Sequence, residues 1–381
     1  MVERGYQLLS STLVECGFEQ CLVDPCVFRC IVAGDVVAMV FCYLEDIKIA
    51  ATEEATEVVV RAINQRFPTK HLGEAEWYMD SEYKRDREKS ALETSQTYFI
   101  RSVLHRVDVS KSSPIPANPS LDLRHVSGEE TVVDVPFREI VGSLLWIANQ
   151  TRPDIANAVR AIERFSRDPK LIHYKAAQKI LGYLNATSDL GLTLRRDSDL
   201  GSVQVEFDLE TYVDADYAHK AEDRRSVSAV AVSCGGVLVS WFPRTQKCVT
   251  LSTTEAEYVA MADGGKEALH VRGILAFLMP SLGSMSIGVY EDNKGAIDLA
   301  KKPLSSSNSE HVDVRHHFLR EMAASGDISV QYLRSEDQHA VILTKTIGRE
   351  FRKAPRSPFR QGLGANIFLV FLVVPVVGDW L

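Results

Sequence analysis

The spacing of apolar residues changes period several times along this chain, and those changes divide it. Residues 36–52, VVAMVFCYLEDIKIAAT, place two β-rich apolar runs around Leu44, Glu45 and Asp46, the pattern of a hairpin with carboxylates at its tip. Thr52 to Phe67 then reads as a helix: Thr52 is the N-cap, Glu53 and Glu54 sit in the first turn, and Pro68 follows the end. Between Asp108 and Pro136 periodicity is lost in a Ser- and Pro-rich stretch, SKSSPIPANPS, the mark of a linker or an extended crossing segment. Helical spacing resumes over Phe137–Thr187, with Val141, Leu144, Leu145 and Ile147, then Ile155, Val159 and Ile162, at three- and four-residue steps. Breaks at Thr151–Asp154 and near Asp168-Pro169 predict at least three helices there.

A strand rhythm begins near Val203. Strands are predicted at Val203–Val213, Ser226–Ser233 and Val237–Trp241, with Gly235-Gly236 as the turn between the last two. Ser252-Thr253-Thr254-Glu255 is a capping box opening a helix that runs to about Met279. A strand (Ser286–Tyr290), two helices (Asn293–Lys301 and Val312–Ala324) and a final strand (Ile328–Leu333) complete a mixed α/β pattern, a sheet covered by helices.

Composition changes this picture little. The apolar and charged fractions, 45% and 25% of 381 residues, are those of ordinary globular protein with room for two or three domains. A net charge of −8 argues against coating nucleic acid by bulk electrostatics. The local distribution says more. Phe137–Arg196 holds ten Lys/Arg against five Asp/Glu, whereas Asp197–Tyr217 holds seven acidic residues and no basic one. A basic surface beside an acidic site suits an enzyme that grips a phosphate backbone and holds metal ions, although solvated faces of unequal sign give the same counts.

Four of the seven cysteines come early, at Cys16, Cys21, Cys26 and Cys30, without the paired spacing of a zinc site, so buried free thiols in a reducing compartment are expected. No secretion signal opens the chain, and an intracellular location, cytoplasmic or nuclear, is expected. Ile367–Val377 is apolar, but eleven residues interrupted by Pro375 fall short of the ~20 needed to cross a bilayer. With Arg352, Lys353, Arg356 and Arg360 before it, an interfacial anchor stays open, beside the reading of residues 351–381 as a poorly ordered basic and apolar tail.

Three carboxylates fall where α/β folds collect catalytic groups: Asp214 at the end of a strand, Glu257 on the first turns of the long helix, and Asp292 just after the next strand. Gathered together they would repel unless cations lay between them, and two divalent ions about 4 Å apart suit phosphodiester hydrolysis. One by one, each acid is equally well a turn or cap residue.

The segments TYVDADYAHKAEDRRSVSAVAV, VSWFPRTQKCVTLSTTEAEYVAM, YEDNKGAIDLAKKP, HVDVRHHFLREM and ISVQYLRSEDQHAVILTK resemble, in order and spacing, the ribonuclease H of copia-type LTR retrotransposon Pol polyproteins. Upstream, FREIVGSLLWIANQTRPDIANAV and IHYKAAQKILGYLNAT resemble the segment joining polymerase to nuclease; GFEQCLVDPCVF, YLEDI and LGEAEWYMDSEY resemble the reverse-transcriptase palm. The resemblance covers residues 5 to 350. It implies a truncated palm over 1–108, a linker over 109–136, a helical connection over 137–198 and a ribonuclease H-like mixed five-stranded sheet with flanking helices over 203–350. It also implies two-metal cleavage, with Mg2+ or Mn2+, of the RNA strand of RNA–DNA hybrids. Asp214, Glu257 and Asp292 would be the metal ligands; Asp216, Glu255 and Glu291 are secondary, read as exposed or capping residues. Arg152, Lys175, Arg224 and Arg225 would hold phosphates, with His173, Tyr174 and Trp241 as aromatic candidates, though Trp241 reads first as core. His311, His316 and His317 read as capping or core residues rather than ligands. Other parts of the polyprotein are expected partners.

The chain departs from the implied pattern in four places. Val341 stands where a fourth acid is expected, and Asp337, four residues earlier, could approach the site only through a helical turn, which is not expected, so a poorly held second ion and slow or absent hydrolysis are expected. The polymerase pair is Glu45-Asp46 rather than two aspartates. The first catalytic Asp and the fingers of that family would lie upstream, so no polymerisation by this chain alone is expected. Asp80 stands where a Gly is usual. Three readings follow: a ribonuclease H joined to a non-functional polymerase remnant, a catalytically silent nucleic-acid-binding relic of the same fold, and a membrane-associated protein held by the tail. An integrase is disfavoured by the order Asp, Glu, Asp.

Overall fold

The computed structural model describes residues 2–43, 46–88, 91–119, 121, 123, 135–195, 209–217, 224–280, 285–301 and 313–345. Glu45 at the hairpin tip, residues 203–208, His311 and the whole of 351–381 therefore lie outside the described residues, as do the side chains of His316 and His317.

Helix α1 (Val2–Glu15) precedes an antiparallel sheet of β1 (Glu19–Gln20), β2 (Val27–Val32), β3 (Asp35–Tyr43) and β4 (Asp46–Ala51). The expected hairpin is β3–β4, with Tyr43 paired to Asp46. Helix α2 (Glu53–Asn64) follows at once, its amide at Ala55 bonded to the Thr52 hydroxyl at 3.3 Å, and buries Val59 and Ile63 against Phe28 and Val40 of the sheet.

A second antiparallel sheet joins β5 (Trp77–Tyr78), β6 (Ser81–Asp86) and β7 (Ala91–Ser95). Helix α3 (Thr97–Arg106) comes next, then α4 (Phe137–Gln150), α5 (Pro153–Glu163) and α6 (Leu171–Asn185), broken where the sequence predicts. The segment 137–198, expected to be helical, does not end as helix: β8 (Leu192–Arg195) pairs with β7 as the fourth strand of the second sheet. Leu192 and Leu194 alternate with Thr193, and this two-residue period overrides the helical trend of the residues before it.

The third sheet positions the acids. It runs β11 (Val237–Thr245), β10 (Val227–Cys234), β9 (Leu209–Asp216), β12 (Ile287–Glu291), β13 (Ser329–Tyr332), the first two pairings antiparallel and the last two parallel. This is the mixed five-stranded, ribonuclease H-like sheet that the resemblance implies. Gly235 and Gly236, both with positive φ (55° and 77°), close the β10–β11 hairpin, as a turn of that hand requires. Strand β10 is buried throughout because both faces are covered, and its side chains divide by parity. Val230 and Val232 pack with helix α7 (Thr253–Leu278), while Ala229 and Ala231 pack with Leu144, Ile155 and Val159 of α4 and α5. Helices α8 (Lys294–Lys301) and α9 (Asp313–Ala324) pack beside α7, and two 3-10 turns, Ser335–Asp337 and His339–Leu343, follow β13.

Candidate active site

Helix α7 starts at a true cap. The Ser252 hydroxyl accepts from the Glu255 amide at 3.1 Å, and the Glu255 carboxylate accepts in return from the Leu251 amide at 2.7 Å, so Glu255 is a capping residue. Two turns beyond Glu257, Gly264 lets the helix sit close on β9: a Cβ there would stand 2.5 Å from Val213 Cγ1. That close approach brings Glu257, on the same helix face, to the end of the sheet.

Strand parity places the other acids. The parallel register of β9 and β12 pairs Tyr212 with Tyr290, whose rings stack 5.2 Å apart. One step further along, Glu291 falls on the α7 side with Val213, and Asp292 takes the parity of Asp214. Glu257, Glu291 and Asp292 come together, each offering an oxygen within 4.8 Å of the other two. Among the described residues this is the one group of three acids, histidines or cysteines so arranged. Asp214 stands outside it. Its carboxylate accepts a hydrogen bond from the Thr344 hydroxyl, which follows the second 3-10 turn on the opposite side of the sheet.

Glu291 corrects an expectation. Read as an exposed or capping residue, it is fully buried, and although one oxygen does accept from the Asn293 amide at 2.8 Å, the other has no partner. The signal lay in β12 itself: Ile287 and Val289 point into the core, and Glu291 has their parity. Thr344 and Lys345 carried no such signal.

Burial, then the charges of Glu291, Asp214 and Asp292, raise the Glu257 carboxyl far above the ordinary range; burial raises Glu291 likewise. Asp214 is raised by burial, against the pull of the Thr344 hydroxyl and the Lys345 charge. Oε2 of Glu257, like Oε2 of Glu291, is buried with no hydrogen-bond partner. Two unpartnered buried carboxylate oxygens, on two of the three acids that come together, make a donor set that fits a hard divalent cation, which binds through oxygen.

The expected phosphate contacts divide. Lys175, Arg224 and Arg225 are exposed. Arg152 is not, and its expected role is corrected: only 2% exposed, it forks onto Asp154 at 2.9 and 2.7 Å and donates to the carbonyl and hydroxyl of Thr187, both at 2.8 Å. Pro153 follows it and opens α5, and the bonds to Asp154 and Thr187 hold the guanidinium inside the helix junction. His173 is likewise buried, stacked on Phe165 at 3.9 Å. Trp241 is core, as expected, its N–H donating to Ala148 at 2.9 Å. Val341 lies on the second 3-10 turn and offers only its backbone, while Asp337 is exposed on the first. Asp46, at the foot of the β3–β4 hairpin, is exposed. Of the early cysteines Cys21 is buried, Cys26 and Cys30 are half-buried, and Cys16 is exposed in the turn after α1 rather than buried as expected; all are free thiols. No described helix is long and apolar enough to cross a membrane.

No protein-family model matches the chain. It is 32% identical over 335 residues to the retrovirus-related Pol polyprotein from transposon TNT 1-94 of Nicotiana tabacum, covering 86% of this chain and 24% of that protein. It is 31% identical over 347 residues to the corresponding polyprotein from transposon RE1 of Arabidopsis thaliana, covering 90% and 23%. The chain thus spans about a quarter of the length of these curated relatives. Among solved structures it is similar to the foamy viral protease-reverse transcriptase in complex with RNA/DNA hybrid, at 12% identity and a TM-score of 0.43, covering 80% of this chain and 36% of that one. The chain belongs to the retrovirus-related Pol polyproteins of transposons.

Proposed function

We propose that this segment of a copia-type Pol polyprotein is a divalent-metal-dependent ribonuclease H that hydrolyses the RNA strand of RNA–DNA hybrids, slowed by the loss of one acid. The observation that carries the reading is the meeting of Glu257, Glu291 and Asp292 at the end of the third sheet, with two buried oxygens left unpartnered. Glu257 and Asp292 offer oxygens to one point, and Asp214, fixed by Thr344, adds negative charge beside it. Bound Mg2+ or Mn2+ would supply an activated water and charge stabilisation at the leaving oxygen. Lys175, Arg224 and Arg225, all exposed, would receive phosphates of the hybrid. Val341 gives no side-chain oxygen to the site. Restoring the acid with Val341→Asp is expected to raise Mn2+-dependent hybrid cleavage; an unchanged rate counts against the reading.

A second reading, a silent binder of nucleic acid on the same fold, is favoured by one contact: the Thr344 hydroxyl occupies an Asp214 oxygen that a nuclease would turn to a cation. Hybrid binding without cleavage in either metal would decide for it. The N-terminal sheet with Asp46 at its hairpin we read as a degenerate palm without polymerase activity, since Glu45 replaces an aspartate and displaces its carboxylate by about a bond length where about 0.5 Å matters. Primer extension by the purified chain would overturn that reading.

A further inference from the structure

We infer that Glu291 is a metal ligand in this chain, forming with Glu257 and Asp292 a single-ion site that makes good part of what is lost with the carboxylate missing at Val341. The inference rests on the ribonuclease reading above and deepens it, moving the centre of the site toward β12 and the α7 face of the sheet.

Three observations carry it. First, the three acids offer oxygens within 4.8 Å of one another, a group that Asp214 does not enter. Oxygens on opposite sides of one cation lie about 4.2 Å apart at Mg2+ distances and about 4.8 Å apart at Ca2+ distances, so this spread matches ligands around one ion. Second, Glu291 is fully buried and Glu257 nearly so, yet Oε2 of each has no hydrogen-bond partner. Buried carboxylate oxygens are ordinarily satisfied, and two orphans on residues of a single close cluster point to a bound cation. Third, the inner oxygen of Glu291 is fixed by the Asn293 amide at 2.8 Å, where the chain turns from β12 into α8. That bond ties one oxygen of the carboxylate to the start of α8, while Oε2 stays buried and unpartnered. A carboxylate fixed before the ion arrives loses little freedom on binding it.

Parity explains why the replacement comes from β12. Val341 is on the 3-10 turn that packs under the Tyr212 and Asp214 side of the sheet, whereas Glu291 and Glu257 lie on the other. The acid is therefore regained across the sheet rather than beside the position that lost it.

The test is calorimetric titration of Mn2+ into the full chain, with Glu291→Gln, Glu291→Asp and Asp292→Asn variants and Glu336→Gln as an exposed-charge control. Glutamine keeps an oxygen for the Asn293 amide and removes a buried charge, so the fold is expected to persist, checked by far-ultraviolet circular dichroism. The expected result is one Mn2+ per chain, with affinity weakened tenfold or more by Glu291→Gln and by Asp292→Asn, less by Glu291→Asp, and unchanged by Glu336→Gln. Weakening by Asp292→Asn with no change in either Glu291 variant would overturn the inference and leave the ribonuclease reading standing. No Mn2+ binding by the parent, or indifference to Asp292→Asn, would overturn both. Should Glu291→Gln fail to fold, Glu291→Asp decides between the same outcomes.

Discussion

The hydroxyl of Thr344 donates to Oδ2 of Asp214 across 130 residues of sequence, tying the last described turn to the central strand of the third sheet. This single contact serves two ends: it partners a buried carboxylate and fixes the turn that carries Val341. Thr344→Val removes the donor while keeping the shape, leaving Asp214 one partner short inside the protein. A stability loss of about 1–3 kcal/mol is expected by urea denaturation at neutral pH. A loss under about 0.3 kcal/mol would mean that solvent replaces the bond.

The buried acids make stability depend on pH in an unusual sense. Carboxyls raised on folding bind more protons in the native state, so the metal-free protein should lose stability as pH rises from the ordinary glutamate value of 4.5 through neutrality. Lys48, under the rings of Tyr78 and Tyr83 and pushed by burial down to about 7, acts in the opposite direction above neutrality. Comparing the parent with Glu291→Gln cancels the Lys48 contribution. The urea midpoint of the parent should fall more steeply between pH 5 and pH 9 than that of the variant, and added Mn2+ should shrink the difference; parallel curves would contradict the burial account.

At the β5–β6 turn, Met79 and Asp80 both have positive φ, 52° and 56°, and Tyr78 pairs directly with Ser81 across two residues. This is the type I′ form of a two-residue hairpin loop, with left-handed backbone at both positions, which an L side chain adopts at a cost. Asp80→Gly is therefore expected to stabilise by about 0.5–1 kcal/mol, and Asp80→Val to destabilise, read as shifts in thermal midpoint. A destabilising glycine would mean that the aspartate side chain holds the turn.

Arg152 and the exposed cations should separate cleanly in mutation. Arg152→Ala removes a buried guanidinium from Asp154, which keeps the Tyr183 hydroxyl at 2.8 Å, and should cost about 3 kcal/mol, the low end for breaking a buried pair. Lys175→Ala and Arg224→Ala should leave stability unchanged and each reduce the salt dependence of hybrid binding by about one unit of slope. Equal losses of stability in all three would show that the exposed residues are structural.

Much of this was legible in the chain because its periods are strong. The β10–β11 hairpin, the capped α7 and the three helices from Phe137 onward follow from local chemistry, and each is found within a few residues of its expected place. Glu257 and Asp292, which the structure brings together, stand where the sequence marks a helix start and a strand end. Glu291 is hard to read because an acid beside a stronger candidate looks like its solvated neighbour, although the alternation Ile287, Val289, Glu291 carries the contrary signal. Arg152 misleads for the complementary reason: a basic residue before a helix looks like a phosphate clamp until a partner as distant as Thr187 is known. The pairing of β8 with β7 could not be read locally, since register between strands some hundred residues apart is set by tertiary packing.

The most direct measurement is cleavage of an RNA–DNA hybrid labelled on its RNA strand, by the full chain in Mn2+ and by Asp292→Asn at equal concentration. The account predicts RNA-strand cuts that need the metal and vanish with Asp292→Asn. Cuts that persist in that variant or in chelator, or none from the parent at any metal concentration, would contradict it.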